Sequence, residues 1–176
     1  MTSQSASPFT AREFRDALGL FPTGVAVVTA LSGAGEKLGV TVSSFSSVSL
    51  DPPLVSFGLA KSAHSFDDWV AAPHFAINVL TEEQEHLSTK FARALSDKWS
   101  GLSPRRGTAA EVPLLDEALA WFECAKFAQH DAGDHLIVLG RILSFARTPH
   151  EGRRPLVFFR SAYHRLHGSE AVKPAE

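Results

Sequence analysis

GVTVSSFSSVSLDPPLV, residues 39–55, carries six hydroxyl side chains in the nine positions 41–49. In an extended strand, alternate side chains point to opposite faces. One face would then carry Thr41, Ser43, Phe45, Ser47 and Ser49, and the other Val42, Ser44, Ser46 and Val48. Neither face is apolar enough to be a core face, although apolar runs flank the segment on both sides. We call residues 41–49 the hydroxyl ribbon.

Two interpretations of the hydroxyl ribbon follow from its composition. It can be a solvated edge strand, whose polar side chains discourage pairing with another sheet. It can also be a backbone platform for a flat ligand with polar edges. In that case small side chains let the main chain approach the ligand, N–H groups donate to ring carbonyls and nitrogens, and serines contact ribityl or phosphate oxygens. An isoalloxazine ring meets these demands, and the residues alone leave both interpretations open.

The surrounding pattern predicts a mainly β protein with helical additions. Apolar and β-branched runs predict strands, and Asp51-Pro-Pro53 ends the ribbon strand. The expected strands, besides the ribbon, cover residues 25–31, 54–59, 75–80, 119–129, 135–147 and 156–159. Short turns join several of them, and strands do not alternate regularly with helices. The pattern therefore favours an antiparallel barrel over a doubly wound parallel sheet.

Three local signals predict helix starts. Thr10 with Glu13 and Thr81 with Gln84 fit capping boxes, in which both side chains satisfy free N–H groups of a first turn. The first helix is expected to end near residue 19 and the later one near residue 94. Residues 65–68 start a short helix, and the Gly-, Pro- and Arg-rich stretch 96–113 is expected to be a loop.

Length and composition favour one soluble domain. The chain has 176 residues and a net charge of −2, without a long basic run, which argues against nucleic-acid or membrane-surface binding. No apolar run approaches the roughly 20 residues that span a bilayer, and the first residues lack a secretory pattern, so we expect a cytoplasmic protein. Domain boundaries are expected at residues 11 and 167, with flexible segments at 1–10 and 168–176. No metal site is predicted.

Two further segments carry candidate site residues. Gly133-Asp134-His135 is either an ordinary turn with an exposed histidine or a turn that holds an imidazole at a strand end. Ser62, His64 and Ser65 either cap the following helix or collect a phosphate. The single cysteine, Cys124, is interpreted as a core thiol.

Taken together in chain order, these segments resemble the small flavin reductase family, the reductase components of two-component monooxygenases. The similarity spans about residues 11–166. It rests on FRDALG at 14–19, FPTGV at 21–25, GVTVSSF at 39–45, SVSLDPPLV at 47–55, FAINVL at 75–80, FA at 91–92, GDH at 133–135, PLVFF at 155–159 and YH at 163–164.

The resemblance implies an FMN-binding split β-barrel, antiparallel and Greek-key-like, and a homodimer with flavin sites near the subunit interface. It implies reduction of FMN or FAD by NADH, with NADPH possible, and supply of reduced flavin by diffusion to a partner monooxygenase. The implied flavin-binding residues are Thr41, Val42, Ser43, Ser44, Phe45, Ser47, Val48, Ser62, His64, Ser65 and Phe91. His135 is implied at the nicotinamide as the catalytic-site residue, with Tyr163 close by.

Other functions on the same fold stay open at this point. One is a flavoprotein that holds FMN tightly and reduces another substrate, such as a corrinoid or a quinone. Another is a non-catalytic flavin-binding electron carrier, and a third is a purely structural module. We expect NADH rather than NADPH as the hydride donor, because no arginine cluster is assigned to a 2′-phosphate.

Overall fold

The computed structural model describes residues 8–94, 97–149 and 152–166. Most of the predicted flexible lead and all of the predicted tail 168–176 lie outside these residues. The helices are α1 (Ala11–Leu18), α2 (Phe66–Ala71) and α3 (Glu85–Ala92). The strands are β1 (Thr23–Gly24), β2 (Ala26–Leu31), β3 (Lys37–Val42), β4 (Ser46–Leu50), β5 (Pro53–Ala60), β6 (His74–Val79), β7 (Arg105–Arg106), β8 (Pro113–Leu114), β9 (Ala120–Ala132), β10 (His135–Arg147), β11 (Val157–Phe159) and β12 (Ala162–His164).

Seven strands form one antiparallel sheet in the order β3-β2-β6-β9-β10-β5-β4. The two edge strands, β3 and β4, follow each other in the chain and are separated only by residues 43–45. So short a link requires the sheet to curl until its two edges approach each other. The prediction of an antiparallel barrel with helical additions is confirmed.

The prediction that the hydroxyl ribbon is one strand is wrong. Its first part belongs to β3, which pairs with β2, and its second part belongs to β4, which pairs with β5 at the opposite edge of the sheet. Residues 43–45 turn the corner between these edges, and we call them the ribbon corner. The strict alternation of faces therefore does not continue through residues 41–49.

Apolar residues fill the curled sheet in two main clusters. The larger contains Val28, Phe57, Phe75, Ile77 and Val138, all at most 3% exposed. The second cluster lies beneath α3 and includes Val27, Leu80, Phe91, Leu115 and Leu156. Full burial of one such side chain contributes about 1.5–3 kcal/mol relative to exposure. The strands predicted from apolar runs therefore supply the core.

The capping predictions are confirmed at two helices and fail in part at a third. Thr10 and Glu13 form a complete capping box at α1. Thr81 and Gln84 form another, but it opens a 3-10 turn at Glu82–Gln84 before α3 begins. α2 follows Ser65 as expected, yet the Ser65 side chain makes no capping hydrogen bond.

Smaller elements complete the domain. The loop predicted at 96–113 holds one strand of the β7–β8 pair and the first residue of the other. β1, β11 and β12 form a separate three-stranded sheet. Gly133, with φ of 69°, forms the tight turn between β9 and β10. Among the helices of the described ranges, none is long and apolar enough to cross a membrane.

Candidate functional site

Two side-chain hydrogen bonds hold the ribbon corner, one from Thr41 just before it and one at its middle residue, Ser44. Thr41 Oγ1 donates to the carbonyl oxygen of Ser88 in α3 at 2.7 Å. Within the corner, the Gly58 amide of β5 donates to Ser44 Oγ at 2.9 Å. The N–H groups of residues 43–45 lie outside the ladders of both edge strands. The corner thus presents fixed backbone donors beside exposed serine side chains.

Gly58 lets the corner approach β5 closely and brings it near the β9–β10 turn. A Cβ added at Gly58 would lie 3.4 Å from Ser44 Oγ and 3.7 Å from Cδ2 of His135. His135 is the first residue of β10 and pairs with Ala60 of β5. Ser44 and His135, which are far apart in sequence, therefore face each other across Gly58.

The His135 imidazole is oriented by its neighbour in the turn. Its Nδ1 lies 2.7 Å from Oδ1 of Asp134, and this hydrogen bond, reinforced by charge attraction, lowers the pKa of Asp134. Lys61 contacts the same turn twice: its backbone amide donates to the Asp134 carbonyl at 2.9 Å, and its side-chain ammonium forms an ion pair with Asp131 at 2.7 Å. Within the described residues, His135 Nε2 has no protein partner, so it is the ring nitrogen available to a ligand.

Ser62, His64 and Ser65 line one wall of a cleft of about 440 Å³. They belong to the connection between β5 and α2, and Ser62 and His64 are exposed. The cleft is also lined by residues 37–40 at the start of β3, by residues 92–94 and by residues 97–99. The predicted phosphate residues therefore lie together, beside the β3 end of the ribbon.

Ser47 and Val48 are exposed in β4, where the register with β5 shifts between residues 47 and 49. Val42 is buried in the larger core cluster. The half-buried Phe45 packs against Phe122, with ring centroids 5.8 Å apart. Among the residues predicted to contact flavin, four in the ribbon are exposed: Ser43, Ser44, Ser47 and Val48. The buried Val42 could offer a ligand only its backbone.

Phe91 packs beneath β3, and Tyr163 is connected to the ribbon through Ser88. Phe91 is fully buried and packs directly beneath Gly39, where a Cβ would collide with its ring. The Tyr163 hydroxyl lies 2.7 Å from Ser88 Oγ, and Ser88 is the residue whose carbonyl accepts from Thr41. Ser88 therefore links Tyr163 to the ribbon, and no local pattern around Ser88 predicts this role.

Lys98 and Trp99 also line the cleft, and neither was predicted from the sequence. The Lys98 ammonium donates to the carbonyls of Gly39 at 3.0 Å and Phe91 at 2.9 Å, and burial lowers its pKa. Trp99 Nε1 donates to the Lys37 carbonyl at 2.8 Å. Both lie in the segment predicted as loop, where no periodic pattern singles them out.

Comparison with known proteins identifies the same architecture. The chain is 42% identical over 152 residues to the reductase component of flavin-dependent trigonelline monooxygenase from Acinetobacter baylyi, covering 86% of this chain and 48% of that protein. It is 44% identical over 158 residues to the FMN reductase (NADH) SmoA of Agrobacterium fabrum, covering 88% and 86%. The chain spans about half the length of several curated relatives that it matches. For three of them the matched part is between 48% and 60% of the relative's own length.

A solved structure and a family model agree with these relatives. The structure of the NADH:FAD oxidoreductase SgcE6 from Streptomyces globisporus, in complex with NAD and FAD fragments, superposes with a TM-score of 0.86 at 32% identity, covering 96% of this chain and all of that one. The model of the flavin reductase like domain matches residues 18–167. This chain therefore belongs to the flavin reductase like domain family.

Proposed function

We propose that this protein reduces FMN or FAD with NADH as the hydride donor. The observation that carries the proposal is the ribbon corner, where the N–H groups of residues 43–45 lie outside both ladders and where Ser44 and His135 both lie close to Gly58. The named activities of the relatives, FMN reduction by NADH and NADH:FAD oxidoreduction, support it. When both nucleotides are bound, the nicotinamide supplies a hydride from C4 to N5 of the flavin.

The chain's own residues bind and orient the two rings. The N–H groups of residues 43–45 suit the polar edge of an isoalloxazine, where donors favour the negative charge that develops near N1 and O2. Ser62, His64 and Ser65 supply hydrogen-bonding groups for the phosphate on the neighbouring wall. His135 Nε2 would hold the nicotinamide carboxamide or ribose, a positioning role that needs no proton transfer.

Reduced flavin made here would serve a partner monooxygenase. The relative from Acinetobacter is named as such a reductase component, which supports this part of the proposal. Polar contacts from serines and backbone amides, without a cluster of arginines at the ribbon, suit a flavin that must also leave. The need for NADH supports a cytoplasmic location.

We also propose a homodimer, formed through the exposed face of β10 and β4. Phe145 of β10 is 69% exposed and Leu50 of β4 is 94% exposed, with Ile137 and Leu143 of β10 and Val48 of β4 exposed on the same strands. β10 and β4 flank β5 in the sheet, and exposed apolar side chains of this size are typical of an interface. Because Val48 is also in the ribbon, a second copy on this face would border the flavin site. Sedimentation velocity of wild type and Phe145→Asp tests it: the variant is expected to be monomeric.

Steady-state turnover separates the proposal from its alternatives. The purified protein is mixed with NADH and a large excess of FMN, then of FAD, and NADH oxidation is followed together with flavin bleaching under anaerobic conditions. We expect many turnovers per protein with the free flavin. Reduction limited to one equivalent would instead support a tightly bound flavin that serves another acceptor, and absence of NADH oxidation would support an electron carrier or a structural module.

A further inference from the structure

Three phenylalanine rings connect the ribbon corner to the exposed face of β10. Phe45, the last residue of the corner, packs against Phe122 of β9 with ring centroids 5.8 Å apart. Phe122 in turn stacks on Phe145 of β10, at 6.3 Å and an interplanar angle of 25°. Both separations fall within the range of about 4.5–7 Å that aromatic pairs favour. We call these three residues the phenylalanine row.

Phe122 occupies the middle of the row and is held in the wall of the barrel. It pairs with Ile77 of β6 on one side and with Phe145 of β10 on the other. Residues directly opposite each other in an antiparallel pair project from the same face, so the contact between Phe122 and Phe145 follows from the register. Phe122 is half-buried and also packs against the larger core cluster. Its ring can therefore transmit a change at Phe145 to Phe45.

Phe45 determines where one end of the ribbon corner lies. The other two corner residues, Ser43 and Ser44, are exposed, and the hydrogen bond from the Gly58 amide holds only the middle of the corner. Phe45 is the apolar side chain of the corner, and its contact with Phe122 holds the end that leads into β4. Backbone N–H groups that are already in position bind a ligand at a smaller cost in ordering.

Phe145 is the open end of the row. It is 69% exposed, so one side of its ring faces solvent in a single chain. It also lies on the face of β10 that we assign to the homodimer. A second copy that covers Phe145 would restrict its side chain and, through the stacked ring, that of Phe122.

We infer that dimerisation tightens flavin binding through the phenylalanine row. Covering Phe145 fixes Phe122, and Phe122 fixes Phe45 and the N–H groups of the ribbon corner. Phe122 and Phe145 are thus positioning residues that act on flavin through the corner. The inference rests on the proposed flavin reduction and on the proposed homodimer, and it adds a means by which assembly regulates the site.

The strength of one aromatic pair sets the size of this effect. Loss of one pair corresponds to a change in affinity of about 2- to 13-fold. Coupling between two binding events is reciprocal, so flavin must also favour the dimer. Because a dimer holds two sites, saturating FMN should lower the dimer dissociation constant by the square of this factor, about 4- to 170-fold.

The test is a double-mutant cycle read as affinity for FMN. The wild type supplies the dimer, and Leu143→Asp supplies the monomer, because Leu143 is an exposed residue of β10 outside the row. Ile137→Asp is added if Leu143→Asp alone leaves the dimer intact. Phe122→Leu, which removes the ring but keeps an apolar side chain, is then made in both backgrounds. Sedimentation velocity checks each assembly state, and flavin fluorescence without NADH gives each FMN dissociation constant.

We expect the monomer to bind FMN about 2- to 13-fold more weakly than the dimer while Phe122 is present. With Phe122→Leu in both backgrounds, this difference should disappear, and the dimer should bind FMN as weakly as the monomer. In steady-state kinetics the KM for FMN should rise while kcat stays unchanged, because the row acts on binding. An equal loss on monomerisation with and without Phe122 would refute the inference, since the partner copy would then act on the site by another route.

Two further variants control for effects on folding. Phe127→Leu is the matched control, because Phe127 is also on β9 and 53% exposed but lies outside the row. It should keep the full difference between dimer and monomer. Phe145→Leu breaks the other contact of the row at an exposed position, so it replaces Phe122→Leu if thermal unfolding shows that variant to be unfolded. Its dimer should lose FMN affinity by the same factor.

The same measurements separate this inference from the proposals beneath it. A wild type that binds no FMN refutes the proposed flavin reduction. A wild type that sediments as a monomer refutes the proposed homodimer, and the inference with it. A dimeric wild type that binds FMN no more tightly than the monomer refutes the inference alone.

Discussion

Replacing His135 by alanine tests the nicotinamide end of the site. Nδ1 is already committed to Asp134 at 2.7 Å, so the side chain offers a ligand one further hydrogen bond, through Nε2. A net hydrogen bond contributes about 0.5–1.5 kcal/mol, or up to about 3 kcal/mol when a charged group takes part. The variant should therefore lose about 2- to 13-fold in kcat/KM for NADH, with an upper bound of roughly 150-fold.

The assay for this prediction is steady-state kinetics with NADH varied at saturating FMN, together with the FMN dissociation constant measured without NADH. The loss should fall on NADH, while FMN affinity stays within about twofold of wild type. His86→Ala is the matched control, because His86 is also an exposed histidine but lies on α3. A His135→Ala variant with the NADH kinetics of wild type and of the control would remove His135 from the site.

Asp134→Asn extends the test to the orientation of the imidazole. The hydrogen bond from His135 holds the pKa of Asp134 below its ordinary value. The stabilising contact between the two side chains is therefore fully present above the ordinary pKa of an aspartate, and it is lost only as the pH falls through the lowered pKa of Asp134. Asp134 should thus stay ionised from pH 5 to 8 and add no step to the profile of kcat/KM for NADH there. We expect the asparagine variant to reproduce part of the His135→Ala loss at every pH in this range, and a loss confined to one end of the range would contradict this assignment.

Burial raises the pKa of Cys124 to about 12, so at pH 8 roughly one thiol in ten thousand is ionised and native protein should not react with Ellman's reagent; stoichiometric release without denaturant would contradict this. Glu123→Gln should lower the free energy of unfolding, measured by calorimetry, by about 1–3 kcal/mol. The buried Glu123 carboxylate accepts hydrogen bonds from the backbone amides of residues 108–110, and the NH₂ group of a glutamine cannot accept them. An unchanged melting temperature would refute this prediction. Ser88→Ala and Tyr163→Phe should be non-additive by at least about 0.5 kcal/mol in a double-mutant cycle, since both remove one 2.7 Å hydrogen bond; full additivity would exclude that coupling.

Local signals account for the parts of the fold that the sequence predicted well. The capping box at Thr10 and Glu13 operates within one helical turn, and the apolar run of β2 identifies a buried strand without knowledge of its partners. The turn at Gly133 needs positive φ, which glycine provides. For these elements, the deciding interactions lie within a few residues of one another.

The break in the hydroxyl ribbon could not be predicted in the same way. Ser43 and Ser44 favour neither strand nor turn strongly enough to locate a corner, and the break follows from pairing with two different strands at opposite edges of the sheet. Lys98 and Trp99 likewise reach the cleft through contacts with residues about 60 positions away, at Gly39 and Lys37. Such contacts depend on the assembled barrel and leave no periodic pattern.

A crystal structure of the protein soaked with FMN tests the central claim most directly. We expect the isoalloxazine ring to lie against residues 41–48, with its polar edge within hydrogen-bonding distance of the backbone N–H groups of residues 43–45 and its phosphate near Ser62. A ring bound elsewhere, with those N–H groups facing water, would contradict the account.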